Sequence, residues 1–574
     1  VVGTQLLPLI TPLRGADLLN DPRLNKGTAF SREERHGLGL EALLPWRVET
    51  LEQQAARCWH AFQELGSDLE RYAFAQHLRE RNHTLFHRFL ADHVEVVMPI
   101  VYTPTVGKAI QHFSRTYRTP SQGVYLAAPQ QDDLVAILRQ ACPEPPDLMV
   151  VTDAQGILGI GDQGAGGIHI CQGKLAVYTL CAGLDPARAL PVMLDVGTDS
   201  RVLIDDPDYP GLPAPRLEGQ AYDTFLDRFV AAVRTVCPNA LVQWEDFGAT
   251  NARRVLDAYR HQLPSFNDDI QGTSGVATAA ILAGLRGLGR KLADQRFVIF
   301  GAGTAGCGIA ERLQRLLQRE GLDAAEAADR LWLLNRHGLV QEGMAELSAM
   351  VRPYAKSRER LEALRSQGLL PPAHGTGAGE SIGLRAVIEA VRPGVLIGTS
   401  TVAGAFDQAV VEALCRGVER PIVLPLSNPT TLAEVTPENL LRWSEGRALV
   451  ATGSPFQPVM VNGRERVIGQ CNNCFVFPGL GFAAMAVGAR EVSEAMIDAS
   501  IAALAATIPA ATDPEAPLMP PLAAVQAVSR AVAEAVAVAA VEEGLAGRAR
   551  THAEALQRLE ECTWRPVYGP VLAG

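Results

Sequence analysis

The residues most able to do chemistry are two adjacent acidic pairs. Glu245 and Asp246 stand in WEDFGATN, and Asp268 and Asp269 stand in SFNDDIQGTSG. Each pair follows a short apolar run that reads as a strand. Neighbouring carboxylates in apolar surroundings repel one another and lose hydration unless positive charge compensates. A hard divalent cation, Mg²⁺ or Mn²⁺, meets that need with oxygen ligands and keeps places for water or substrate oxygens. Such pairs also occur as solvated turns, and the motifs alone leave both readings open.

Two glycine motifs come next. GAGTAG, at 301–306, and GIGDQG, at 159–164, both fit G-x-G-x-x-G. GAGTAG follows the β-branched and aromatic run RFVIF and leads into the amphipathic stretch CGIAERLQRLLQRE. That context predicts a dinucleotide site at Gly301, Gly303, Thr304, Ala305 and Gly306. The glycines allow a tight turn and close approach, and the helix start offers N–H groups to a pyrophosphate. GIGDQG follows VVTD and a short turn, and reads as a hairpin whose next helix begins near GKLAVYT. Its glycines are expected to serve bends and close backbone approach.

The elements that must position these residues fall into an α/β pattern. Residues 1–115 carry apolar residues at helical spacing and predict a helical N-terminal region. DLMVVTD, ALPVMLDVG and ALVQWEDF read as buried strands of an α/β substrate and metal domain over 116–270, completed by 470–545. RFVIFGAG, RLWLLNRHG, VLIGTS, PIVLPLSN and ALVATGS predict a doubly wound, Rossmann-type NAD(P)-binding domain over 271–469, leaving 546–574 as a C-terminal tail.

Composition narrows the function. The 574-residue chain has a net charge of -11, which argues against a nucleic-acid partner. No apolar run is read as long enough, at ~20 residues, for a membrane helix, and VVGTQLLPLITPL is not read as a signal peptide. Ten scattered cysteines suggest reduced thiols and a cytoplasmic location. Cys471 and Cys474 have C-x-x-C spacing, but a structural zinc usually needs a second such pair, so packing is expected.

YTPTVG (102–107), VVTDAQGILGIGDQGAGG (150–167), GKLAVYT (173–179), the WEDF and FNDDIQGT pairs, GAGTAG, LSNPT (426–430), GSPF (453–456) and NNCFVFPG (472–479) occur in this order, with LNKGTAFSREER (24–35) before them. In this the chain resembles the malic enzymes over nearly its whole length. The resemblance implies oxidation of L-malate with NAD or NADP, decarboxylation and release of pyruvate. It implies Glu245, Asp246 and Asp269 as metal ligands, Lys174 as general base paired with Asp268, and Tyr102 as the acid that protonates C3. Lys174 is placed where an apparent loop enters its helix. A base lysine must titrate below the ~10.4 of a free side chain. Asn428 and Asn473 match residues near malate and the nicotinamide ribose. By analogy the protein is a homodimer or homotetramer.

Two departures bear on function. Many malic enzymes carry a carboxylate-gripping Arg where this chain has Gly156, which keeps the related malolactic chemistry, malate to lactate and CO₂, as an alternative. Asn335 stands where an acid often binds the adenosine ribose and repels the NADP phosphate, and Arg336 after it could pair with that phosphate or point to solvent, which leaves NADP open while NAD is favoured. His169 and Cys171 stand where many relatives have Gly and Pro, and packing is their expected role. A regulatory NAD-binding protein on a decayed scaffold is the reading from another class, opposed by the retained Tyr102, Lys174 and metal carboxylates.

Overall fold

A computed structural model describes residues 8–118, 123–157, 159–345, 347–371 and 381–574. The opening VVGTQLL and Leu158, just before GIGDQG, lie outside the described residues. The chain divides into two compact units. One comprises residues 1–247, 481–490 and 546–574, and the other 248–480 and 491–545.

In the first unit the predicted helical region is present as Leu51–Gln63, Asp68–Arg81, His83–Asp92, Val94–Val101 and Thr105–Gln111, with shorter helices before and after. Capping boxes start two of these: Thr50 with Gln53, and Ser67 with Glu70, each closing two orphan donors of the first turn. Four strands follow in spatial order Val124–Ala127, Ala189–Asp195, Leu148–Thr152 and Leu241–Trp244. All pair in parallel, with Leu148 opposite both Ala189 and Leu241. Leu148–Thr152 and Leu241–Trp244 are buried throughout, as strands covered on both faces require. The expected tail is integrated here: Val571–Ala573 pairs in parallel with Leu9–Thr11, and Trp564 N–H donates to Gly183.

The helix carrying Lys174 corrects the sequence reading. It runs Ile168–Ala182 and is entered through a 3₁₀ turn at Gly164–Gly167, so it begins well before GKLAVYT. Lys174 therefore lies inside the helix and not at a loop end. Gly173 misled the reading, because it is a contact site and not a breaker. A Cβ there would meet the Val101 carbonyl at 3.0 Å.

The second unit holds a seven-stranded sheet in the order Gly469–Gln470, Leu449–Thr452, Ile422–Pro425, Val395–Gly398, Phe297–Phe300, Leu331–Asn335 and Gly338–Leu339. Six strands are parallel, and only the short edge strand Gly338–Leu339 runs antiparallel. The order reverses beside Phe297–Phe300, which makes its C-terminal end the switch point where such sheets bind ligands. Residues 491–545, expected to complete the substrate domain, belong to this unit. Arg312, on helix Thr304–Arg319, pairs with Glu494 and Asp498 on helix Glu494–Thr507 at 2.7 Å each. Asp268 and Asp269 also fall here, the division between the two compact units lying at Phe247 and Gly248. One helical stretch, Leu522–Glu542, is long and apolar enough to cross a membrane, contrary to the sequence reading. Alanines and valines supply that length. Val525, Val528, Val532 and Val536 are buried in the core.

Two histidines in the first unit give the fold a pH signature. Burial, with Arg79 and another histidine nearby, lowers His87 to about 3. Burial lowers His169 to about 4, with Arg79 adding to it and a Gln172 contact opposing it. Unfolded imidazoles take up protons below about 6.5, whereas these do not until far lower. Their contribution to stability is complete above that pH and is lost as the pH falls, by up to about 1.4 kcal/mol per pH unit for each. Urea denaturation between pH 6.5 and 5, above the carboxylate range, is expected to show this loss. His169→Gln is expected to flatten the slope, and an unchanged slope would remove His169 from it.

Candidate active site

The first unit assembles a buried acid–base group. Lys174 and Glu245 are each about 2% exposed, and their Nζ and Oε1 lie 2.9 Å apart. The same ammonium stands 5.3 Å from the centre of the Tyr102 ring. Tyr102 caps helix Val94–Val101, and Gly173 lets the Lys174 helix approach that cap. Glu245 follows strand Leu241–Trp244, and its other oxygen accepts a hydrogen bond from Gln243 Nε2 at 2.8 Å. Gln243 in turn accepts from the Tyr178 hydroxyl. Neither Gln243 nor Tyr178 was singled out from the sequence. Their spacing held the signal: Gln243 and Glu245 share one face of a strand, and Lys174 and Tyr178 one face of a helix.

Asp246 adopts φ 53°, a conformation unusual for a non-glycine residue and characteristic of functional sites. Its carbonyl accepts the Gly156 N–H at 2.9 Å. A Cβ at Gly156 would meet the Phe247 carbonyl at 2.8 Å. The backbone at Asp246–Phe247 thus occupies the space an arginine would need. The first glycine motif is fastened nearby. Arg216 binds Asp162 of GIGDQG at 2.8 Å and the Asp153 carbonyl at 2.9 Å. Gly164 has φ +51°, and a Cβ at Gly167 would meet Ala154 Cβ at 2.3 Å. These glycines serve a bend and a close approach.

The second unit carries the remaining candidates. Strand Ser265–Asn267 runs into a π-helical turn, Asp268–Gly272, started by Asn267, whose side chain accepts the Ile270 N–H. Asp268 is fully buried and Asp269 half-buried. Asn473 Nδ2 donates to Asp268 Oδ2 at 2.9 Å and to Thr273 Oγ1 at 3.0 Å, while Asn472 only caps its own turn. Gly272 is required by the turn, since a Cβ would overlap the Asp268 carboxylate.

At the switch point, Gly301 has φ +118° and lies so close to Thr399 that a Cβ would meet its carbonyl carbon at 2.4 Å. The Gly306 Cβ position lies 2.0 Å from the Gly301 carbonyl. Gly303, by contrast, faces open space, and Thr304 and Ala305 begin helix Thr304–Arg319. Thr304 Oγ1 is buried without a hydrogen-bond partner. An open glycine, free N–H groups at a helix start and an orphan hydroxyl fit a dinucleotide phosphate. Asn335 ends its strand, its side chain accepting the His337 N–H at 2.8 Å, and Arg336 is exposed. Asn428 Oδ1 accepts from Ser454. Cys471 and Cys474 are buried, and no cysteine joins a cluster of three or more candidate ligands among the described residues. The carboxylate donors Glu245, Asp246 and Asp269 have the chemistry of a hard divalent cation's ligands.

This fold and these groups define a class, an α/β dinucleotide-binding protein with a buried acid–base set. Residues 79–260 match the family "Malic enzyme, N-terminal domain", and residues 270–541 match "Malic enzyme, NAD binding domain". NAD-dependent malic enzyme 3 of Bacillus subtilis is 45% identical over 565 residues, 98% of each chain. The NAD-dependent malic enzyme of Aeromonas hydrophila is 41% identical, over 99% of this chain and 98% of its own. The fold is also that of malic enzyme crystal structures. The one from Entamoeba histolytica (21% identity, TM-score 0.54) is matched over 92% of this chain and 90% of its own. The one from Pyrococcus horikoshii (21%, 0.53) is matched over 82% and 89%. The chain belongs to the malic enzyme family.

The packing at Gly156 is directly testable. Gly156→Arg is expected to push the Asp246–Phe247 backbone aside and cost about 1–3 kcal/mol of stability. Denaturant midpoints read this, and wild-type stability in the variant would show that the backbone yields freely.

Proposed function

We propose that the protein is an NAD-dependent malic enzyme that converts L-malate and NAD⁺ into pyruvate, CO₂ and NADH with the help of a divalent cation. The observation that carries this reading is the buried Lys174–Glu245 pair beside Tyr102. Lys174 in its neutral form accepts the proton of the malate C2 hydroxyl as the C2 hydride leaves. Loss of the C4 carboxylate as CO₂ gives an enolate, and Tyr102 delivers a proton to C3. Lys174, beside the phenol, returns that proton, so the pair ends as it began. Gln243 holds Glu245 in orientation throughout. Glu245, Asp246 and Asp269 would hold Mg²⁺ or Mn²⁺, and Asp268, bonded to Asn473, would orient that amide toward malate. When bound, the cation draws electron density from the C2 oxygen and NAD supplies the hydride acceptor.

The N-terminus of helix Thr304–Arg319, with Gly301, Gly303, Thr304, Ala305 and Gly306, receives the pyrophosphate. Asn335 faces the adenosine ribose without an acid's repulsion for a 2′-phosphate, and Arg336 could pair with one, so NADP is the cofactor to compare. Asn428 serves the nicotinamide side. The absence of arginine at Gly156 follows from backbone packing and favours no change of product. The enzyme is assigned to the cytoplasm as a homodimer or homotetramer, with the thiols reduced.

Incubation with L-malate, Mn²⁺ and NAD or NADP is expected to give pyruvate with stoichiometric reduced nicotinamide, NAD being preferred. Lactate without reduced cofactor would reassign the protein to malolactic chemistry. Lys174→Ala is expected to lower turnover by about 10²–10⁴-fold with unchanged NADH binding by fluorescence. Normal turnover would remove it as base. In a Mn²⁺ titration followed by electron paramagnetic resonance, Asp269→Ala is expected to weaken binding by at least tenfold. Wild-type affinity would exclude it from the ligand set.

A further inference from the structure

Three arginines are buried in the first unit; Arg216 is paired with Asp153 and Asp162, and the fold treats the other two differently. Arg35 is 2% exposed and donates to five backbone carbonyls, those of Thr28, Phe30, Pro45, Trp46 and Arg47. Its donors are spent, and its charge is spread over carbonyl dipoles. Arg79, on helix Asp68–Arg81, is 8% exposed and makes one bond, to the Gln172 carbonyl at 3.3 Å. Its Nε and Nη2 are buried and without a partner. No carboxylate pairs with it among the described residues. Glu80, next in the chain, exerts only a weak attraction. Tyr72 stays protonated, raised to about 12 by burial, so no phenolate compensates.

Arg79 lines a small cavity of ≈ 40 Å³. His83, His87, Gln172 and Thr179 line it too, and each is at least nine-tenths buried. The Nε2 of His87 is a second buried atom without a partner. His87 remains neutral, and its Nδ1–H donates to the His83 carbonyl at 2.9 Å, so its Nε2 offers a lone pair and adds no charge. The cavity therefore holds one permanent positive charge and two unused guanidinium donors, with no negative group among the described residues that line it. A guanidinium taken from water is tolerated only when charge or strong dipoles replace its hydration. Water can fill the donor positions but brings no charge.

We propose that this cavity is a binding site for a small monovalent anion of halide size, held by Arg79 Nε and Nη2. The volume sets the ligand class. It accommodates about two or three water-sized occupants, enough for chloride and a water but not for a dicarboxylate such as malate. His83 also lines a larger open cavity of ≈ 500 Å³. The site lies against residues 172, 175, 176 and 179 of the Lys174 helix. An anion there fastens helix Asp68–Arg81 to that helix through Arg79 and Gln172.

The test uses the full-length protein and bromide as the probe. In crystals grown in bromide, an anomalous peak is expected at hydrogen-bond distance from Arg79 Nε and Nη2. Only water density at that position would overturn the proposal. In solution, replacing gluconate by chloride at constant ionic strength is expected to raise the melting temperature by several degrees, as a ligand of the native state does. Arg79→Met is expected to abolish that shift. A shift that persists in Arg79→Met would place the chloride effect elsewhere and overturn the assignment. Should Arg79→Met not fold, the bromide map of the wild-type protein decides alone.

Discussion

The constraint on which the first unit depends is the ion pair between Lys174 and Glu245, sealed from solvent. Burying two charges carries a desolvation cost that mutual attraction offsets only with good geometry and further hydrogen bonds. Here the geometry is built from several directions. Gln243 satisfies the second Glu245 oxygen, and Tyr178 fixes Gln243. Removing one charge from such a pair typically costs about 3–5 kcal/mol, so the arrangement is stable only as a set. Stability alone would be served as well by hydrophobic residues. Retention of the pair points to use of the amine, which is where the proposed chemistry places it.

Positioning that pair is largely the work of glycines used as spacers. Gly173 allows the Lys174 helix to approach the Tyr102 cap, and Gly156 allows the chain after Asp153 to lie against the Asp246–Phe247 backbone. The two G-x-G-x-x-G motifs show how little the letters decide. At 301–306 the glycines end a central strand and open the start of a sixteen-residue helix toward empty space. At 159–164 they bend a loop whose aspartate, Asp162, is clamped by Arg216. Strand before and helix immediately after distinguish a phosphate cradle from a structural turn.

That distinction was legible in sequence, as were the N-terminal helices and the parallel strands, because strand-forming runs and helical periodicity are local properties. The start of the Lys174 helix was not. Gly164–Gly167 and Gly173 suggest interruption, and only the neighbours at Ala154 and Val101 reveal that each glycine is demanded by contact. The membership of residues 491–545 is hidden from the sequence for the same reason. Residues 491–545 are bound to the dinucleotide unit by Arg312 with Glu494 and Asp498, a partnership nearly two hundred positions apart that no local pattern announces. Gln243 and Tyr178 were within reach of periodicity, but neither residue type signals chemistry until its partners are known.

Gly156 shows what this implies for departures from a family pattern. Read as a letter, the loss of an arginine suggests the loss of a carboxylate grip and a different product. Read as a position, it is a contact between backbones, with the Gly156 N–H holding the Asp246 carbonyl and the Phe247 carbonyl filling the place of a side chain. Asp246 needs that support, since its backbone lies in a region that costs about 1–3 kcal/mol and persists only where its surroundings over-determine it. The substitution and the strained acid are therefore one feature. The glycine makes room for the conformation that presents Asp246, and the chemistry follows from what is presented rather than from what is missing.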